Sequence, residues 1–357
     1  MKRILIVNHF GIGDVLFSTP LVAAIKAREP GASVSYIGNP RTTDFLRHDT
    51  GIDRVFVYDR DAFVAVYRCS PWRFLLKWRA FVEDIRAAGF DTAYDLSGGS
   101  ALSLALVFAG IPRRIGFDYK GRGRWLTHKI PLRGYEGRHV VEYNMDLLAP
   151  GDAARAGCLK PPAMRLFVSK GDEAWAGAFL AGHGLAEKSF LIIYPGGGAS
   201  WGRDAGLKRW PAESYAQLAE KIIERSNCPI ILMGDQAEEG LCQAVSRALS
   251  RPVMVLAGKT TLLQSAALMR RARCVIVNDG GPLHMAVASG ARSVAVFGPV
   301  DPVVYGPFPV GEHKVVTRGL SCQPCYRNFR MASCGHRSCL KTLTVDEVFR
   351  ALEEWLS

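Results

Sequence analysis

The chain has 357 residues, 48% hydrophobic and 22% charged, with a formal net charge of +12. Such a composition excludes a disordered chain, and at roughly 100–200 residues per domain the length predicts two domains. The positive balance favours acidic partners: nucleic acid, an anionic membrane face or phosphorylated substrates.

In chain order, Met1-Lys2-Arg3 runs straight into Ile4-Leu5-Ile6-Val7, too short an apolar run for a secretory signal. No apolar run reaches the ~18 residues of a spanning helix. Strands are predicted at 3–7, 33–37, 54–58, 92–96 and 113–117, with helices between them, among them 15–29 and 74–88. The pattern weakens between 146 and 187, where 149–152 and 160–162 read as turns of a linker. The chain therefore divides into domains 1–165 and 166–357. A second series of strands is predicted at 190–194, 229–233, 253–256, 274–277 and 293–297, with a sixth at 314–317, and helices begin near 211, 238, 261, 282 and 344. Strands alternating with helices make parallel sheets covered on both faces. The expected fold class is α/β, with two Rossmann-like domains facing a central cleft in the GT-B architecture. Ligands then lie beyond the C-terminal strand ends.

The first such end carries Gly11-Ile12-Gly13-Asp14. The glycines permit a tight turn, but Leu16 stands where a dinucleotide fingerprint needs its third glycine, which counts against an NAD-dependent oxidoreductase. Asp14, ahead of a helix expected to begin near Val15, reads either as an N-cap or as a general base for an acceptor hydroxyl, and the two roles can coexist.

The second domain holds two phosphate-type loops. In Asn278-Asp279-Gly280-Gly281-Pro282-Leu283-His284 the glycines bare backbone N–H groups at a helix N-terminus, an anion site suited to a diphosphate. Asp279 reads as its N-cap and His284 as a ligand contact one turn in. The other loop is Tyr194-Pro195-Gly196-Gly197-Gly198-Ala199-Ser200, followed by Lys208-Arg209-Trp210-Pro211, where Lys208 can neutralise a departing diphosphate. A carboxylate after Met233-Gly234-Asp235, Glu238 or Glu239, can meet ribose hydroxyls, although an ordinary helix start explains the pair equally well.

Two further segments stand out. Of nine cysteines, Cys69, Cys158, Cys228, Cys242 and Cys274 are isolated, and the odd total argues against a disulfide framework. The remaining four, Cys322, Cys325, Cys334 and Cys339 with His336 among them, have spacing suited to a structural zinc site. The run 66–80 has four basic residues, two tryptophans and no acid, which suits either a membrane interface or a helix with its apolar stripe in the core. The segment 113–138 holds Arg113, Arg114, Lys120, Arg122, Arg124, Lys129, Arg133 and Arg138 against Asp118 and Glu136.

Taken in order, Gly11 to Pro20, Asp95-Leu96-Ser97, Lys208-Arg209-Trp210-Pro211, Asn278 to His284 and Phe297-Gly298-Pro299 resemble glycosyltransferase family 9 over essentially the whole chain. The Cys322–Cys339 tail is similar to its heptosyltransferase II-like branch. The triple glycine and the 201–206 insert beginning Trp201-Gly202 depart from that pattern. The resemblance implies inverting, metal-independent transfer from ADP-heptose to an inner-core lipopolysaccharide acceptor. It implies Asp14 as general base, Lys208 as the phosphate lysine, Glu238 or Glu239 at the ribose, and Asp279, Gly280, Gly281 and His284 as the diphosphate loop. Gly13, Arg60, Arg68, Arg122 and Arg124 become candidates for the acceptor. The resemblance places the protein in the cytoplasm, peripheral at the inner face of the inner membrane where a lipid-anchored acceptor lies. The alternatives are another nucleotide sugar, an epimerase of the same fold, and a basic nucleic-acid-binding protein. Against the last, no nucleic-acid reading module is visible, so no nucleic-acid partner is expected.

Overall fold

A computed structural model of the chain describes residues 1–99, 101–152, 159–198 and 202–356. Cys158, Ala199, Ser200 and Trp201 lie outside the described residues. The chain divides into two compact units, Met1–Phe167 and Val168–Ser357.

In the first unit the strands are β1 (Arg3–Val7), β2 (Ser33–Gly38), β3 (Arg54–Val57), β4 (Thr92–Asp95), β5 (Arg113–Tyr119) and β6 (His128–Leu132). They form one parallel sheet in the order β3-β2-β1-β4-β5-β6. Ile4, Leu5, Ile6 and Val7 are all buried because helices cover the sheet on both faces, which is why β1 reads as a continuous apolar run. The second unit repeats the plan with β7 (Leu191–Tyr194), β8 (Ile230–Leu232), β9 (Met254–Val255), β10 (Cys274–Asn278), β11 (Ser293–Phe297) and β12 (His313–Thr317), ordered β12-β11-β10-β7-β8-β9. Numbered within its own unit, each sheet has the Rossmann order 3-2-1-4-5-6. Two Rossmann-like units in one α/β chain are the GT-B fold class expected from the sequence. A short hairpin, β13 (Tyr326–Arg327) and β14 (Arg330–Met331), lies in the cysteine-bearing tail.

The second core gathers around the buried Trp210 and Tyr215, and the helix Val345–Leu352 closes it with Val348, Phe349 and Leu352. Trp210 keeps its indole N–H satisfied by the Leu343 carbonyl at 3.1 Å. Among the described residues no helix is long and apolar enough to cross a membrane.

Three elements differ from expectation. The helix expected at 15–29 is two helices, Ile12–Leu16 and Thr19–Arg28, and Pro20 sits in the first turn of the second, where its missing N–H costs nothing. Strand β6 was not expected, because its sequence carries Pro131 and little apolar patterning. It is an edge strand, where proline is tolerated. The helix Lys170–Gly182 lies inside the stretch read as patternless. Three glycines blur its periodicity, and it is started by Ser169, whose hydroxyl accepts the Asp172 N–H at 3.0 Å.

Candidate functional site

In a doubly wound sheet the crevice opens where the strand order reverses. In the second unit that point lies between β7 and β10, and both glycine loops leave from there. The loop after β7 is 195–198, and the loop after β10 leads into the helix Gly281–Ala288. Gly280 is the N-cap of that helix and makes no side-chain cap, so Asp279 lies one residue outside rather than capping as expected.

The two loops touch backbone to backbone. A Cβ on Gly280 would come within 2.2 Å of the Gly197 carbonyl oxygen, so no side chain fits there. Gly197 and Gly198 have φ of +117° and +83°, which favours glycine at both. Asn278 ties the loops together. Its Nδ2 donates to the Pro195 carbonyl at 2.8 Å and the Gly196 carbonyl at 3.2 Å, while its Oδ1 accepts the Trp210 N–H at 3.0 Å.

Lys208, held just before that anchored tryptophan, is buried and forms an ion pair with the buried Asp279 carboxylate. A cation, a helix N-terminus and glycine backbone therefore converge at one switch point. His284 is buried in the first turn of the helix, its N–H donating to the Gly280 carbonyl at 3.4 Å. Glu238, one of the two ribose candidates, lies inward behind the glycine loop. It is 2% exposed. Its Oε1 accepts from the Gly198 N–H at 2.9 Å and from Arg209 at 3.1 Å, and its Oε2 accepts from the Asp235 N–H at 3.2 Å. Burial pushes its carboxyl above the usual range, against the Asp235 and Gly198 amides and the Arg209 charge. Oε1 braces the triple-glycine loop from behind, while Oε2 holds the turn at Asp235. Glu239 is half-buried and accepts from Gln236 at 2.9 Å.

In the first unit the switch point lies between β1 and β4. Asp14 follows β1 and is exposed in the first turn of Ile12–Leu16, whose N-cap is Gly11 rather than Asp14. Gly13 is inside that turn, its carbonyl accepting the Phe17 N–H at 2.9 Å. Asn8 fixes the loop by donating to the Asp14 carbonyl at 2.9 Å and accepting the Phe10 N–H at 3.2 Å. At the end of β4, Asp95 is buried with its carboxyl pushed upward by desolvation, against the hydrogen bonds of Ser103 and Ser97.

Arg60 is exposed at the start of the helix Arg60–Cys69 that follows β3. Arg122 and Arg124 are exposed on the turn Arg122–Trp125 that follows β5, which Asp118 braces by accepting the Gly123 N–H at 2.9 Å. Asp14, Arg60, Arg122 and Arg124 all stand at C-terminal ends of parallel strands, on one side of the sheet. His9, which the sequence did not single out, sits among them. Burial first and the neighbouring Arg60 charge second lower its pKa to about 4.

Cys322, Cys325, Cys334 and Cys339, the residues expected to hold zinc, lie near one another in the tail. Among the described residues no group of three or more His, Cys, Asp and Glu is placed to hold a metal ion. The thiols are neighbours with separate surroundings. Cys325 donates to the Cys322 carbonyl at 3.0 Å, Cys334 accepts the Arg337 N–H at 3.4 Å, and Cys339 is packed into the second core. Burial and then the adjacent sulfurs push the Cys325 and Cys339 thiols upward.

The family model described as glycosyltransferase family 9 (heptosyltransferase) matches residues 78–334. Lipopolysaccharide heptosyltransferase 2 of Escherichia coli K12 is 24% identical over 320 residues, covering 84% of each chain. Among solved structures, E. coli ADP-heptose lps heptosyltransferase II superposes with a TM-score of 0.77 at 23% identity, covering 100% of this chain and 98% of that one. A glycosyl transferase family 9 protein of Veillonella parvula gives 0.81 at 22% identity, covering 99% and 97%.

Proposed function

We propose that this chain, which belongs to glycosyltransferase family 9 and is a glycosyltransferase, moves a heptose from ADP-heptose to an acceptor sugar of the lipopolysaccharide inner core, inverting the anomeric carbon. The observation that carries the reading is the convergence of Lys208, two glycine loops and the N-terminus of Gly281–Ala288 at the second switch point. That set suits a nucleoside diphosphate, and the E. coli relatives named above are heptosyltransferases.

In the proposed reaction Asp14 takes the proton of the acceptor hydroxyl as its oxygen attacks the anomeric carbon. The bond from that carbon to the diphosphate oxygen breaks, and ADP departs with the electron pair. Lys208 and the free N–H groups of the helix start stabilise the charge that develops there. No metal ion is needed in this scheme. Arg60, Arg122 and Arg124 offer guanidinium groups to phosphate or acidic sugar on the acceptor, with Gly13 giving close backbone approach. The enzyme works in the cytoplasm at the inner face of the inner membrane, where a lipid-anchored acceptor is presented.

A mass-spectrometric assay tests this with ADP-heptose and either a Kdo-lipid A or a mono-heptosylated acceptor. The expected result is one added heptose mass with ADP release, reduced by about 10³-fold or more in Asp14→Asn while ADP binding stays within about twofold. Turnover of ADP-heptose without an acceptor would point instead to an epimerase-type reaction. No transfer to either acceptor by folded protein would sink the donor and acceptor assignment.

A further inference from the structure

Helix Pro71–Ala87 has apolar residues on two faces. One face, with Phe74, Trp78 and Phe81 partly buried and Val82 and Ile85 buried, packs into the core of the first unit. The other carries Trp72, Leu75 and Leu76 at i, i+3 and i+4, and these stay 67%, 50% and 51% exposed. The preceding helix Arg60–Cys69 adds Tyr67, 56% exposed, whose ring lies 5.3 Å from that of Phe74. A surface helix ordinarily buries one stripe and leaves the rest polar. A second apolar stripe of large side chains therefore marks a contact surface.

The charge around it selects the occupant. Exposed Arg68, Arg73 and Lys77 are interleaved with the stripe, and no Asp or Glu occurs between 62 and 82. Arg79 pairs with Glu83 one turn on at 2.7 Å. A second copy of the chain laid on this face would set the same cations against each other. An anionic bilayer accepts both components, because aromatic and leucine side chains enter the acyl boundary while basic side chains stay at the headgroups. The helix is 17 residues long and charged, too short and too polar to cross a bilayer.

We propose that the outer face of Pro71–Ala87, with Tyr67, docks flat on an anionic lipid bilayer. This deepens the reading of a lipid-anchored acceptor, on which it rests for its purpose. The docking itself needs neither donor nor acceptor. Co-sedimentation of the full chain with vesicles of phosphatidylglycerol and phosphatidylcholine, against phosphatidylcholine alone, tests it. The expected result is binding to the anionic vesicles only, weakened roughly tenfold or more by Trp72→Glu/Leu75→Glu/Leu76→Glu. A comparable loss is expected from Arg73→Gln/Lys77→Gln, and in wild type at high salt. Melting temperature and turnover of a water-soluble acceptor should stay at wild-type values in both variants.

Wild-type affinity in the triple glutamate variant would overturn the proposal, as would failure of the native chain to bind. A dimer in size-exclusion chromatography that the glutamate variant dissolves would assign the face to a second copy and also overturn it. Vesicle binding without any heptose transfer would leave the docking standing and remove the assignment of heptose donor and acceptor alone.

Discussion

Lys208 and Asp279 are both nearly completely buried, and such a pair must offset the desolvation of two charges before it contributes any stability. Removing one partner strands the other. Lys208→Ala should therefore destabilise the second unit by about 3–5 kcal/mol as well as weaken ADP binding. The double change Lys208→Met/Asp279→Asn separates the two effects. Calorimetry should show most of the stability restored, while titration with ADP still shows the weakened affinity. Recovery of both together would mean that Lys208 serves only the fold. His9 offers a test through pH. Its folded pKa of about 4 lies below the ordinary value of 6.5, so the unfolded chain binds the extra proton first. Its contribution is present above pH 6.5 and lost as the pH falls towards 4. Over that window the melting temperature of His9→Gln should fall less steeply than that of the native chain, by the equivalent of up to about 3 kcal/mol. Parallel curves would show that His9 titrates normally.

At the scale of elements, the loops after β7 and β10 depend on glycines that meet neighbours from other parts of the chain. A Cβ on Gly196 would stand 1.9 Å from Glu238 Oε1, and one on Gly280 would stand 2.2 Å from the Gly197 carbonyl. Gly280→Ala must displace backbone, so it should be the more damaging, with ADP affinity down at least tenfold. Gly196→Ala can push aside the Glu238 side chain, and should cost mainly stability, since Glu238 then loses the Gly198 amide and the Arg209 charge. Differential scanning fluorimetry with and without ADP distinguishes the two patterns.

These loops were legible in sequence because glycine runs after apolar strands announce themselves. Their bracing was not. Glu238 lies 40 residues from Gly198 and 29 from Arg209, so its own neighbours in sequence suggested only a helix start or a ribose contact. Asn278 appeared within a motif, yet its bonds to Pro195 and Trp210 exist only because parallel pairing sets β10 beside β7. The cysteine spacing suggested a metal cage. The fold directs Cys339 into the core and leaves Cys322 exposed, a divergence that spacing alone does not encode.

At the scale of the whole molecule, one strand order is used twice and furnished differently. The first unit places an exposed carboxylate and scattered arginines at its strand ends, while the second places a buried ion pair and bare backbone there. Hydrogen–deuterium exchange with ADP should accordingly show its strongest protection in peptides covering 194–198, 208–210 and 278–284. The loop holding Asp14 should respond less to nucleotide alone. Equal protection of both segments by ADP would contradict that assignment of tasks. The +12 charge acts at this scale as well, since it draws the chain towards anionic surfaces before any particular contact forms.

The contact of Gly280 with Gly197 also bears on how the protein can change over generations. Where two backbones meet with no room for a side chain, selection has nothing to vary, and Asn278 leaves the adjoining carbonyls already committed. A descendant that acquires a different sugar must do so through residues elsewhere around the donor. On the proposed reading the hold on the diphosphate is then inherited unchanged, so specificity for the transferred sugar can drift while the handle on the donor stays the same.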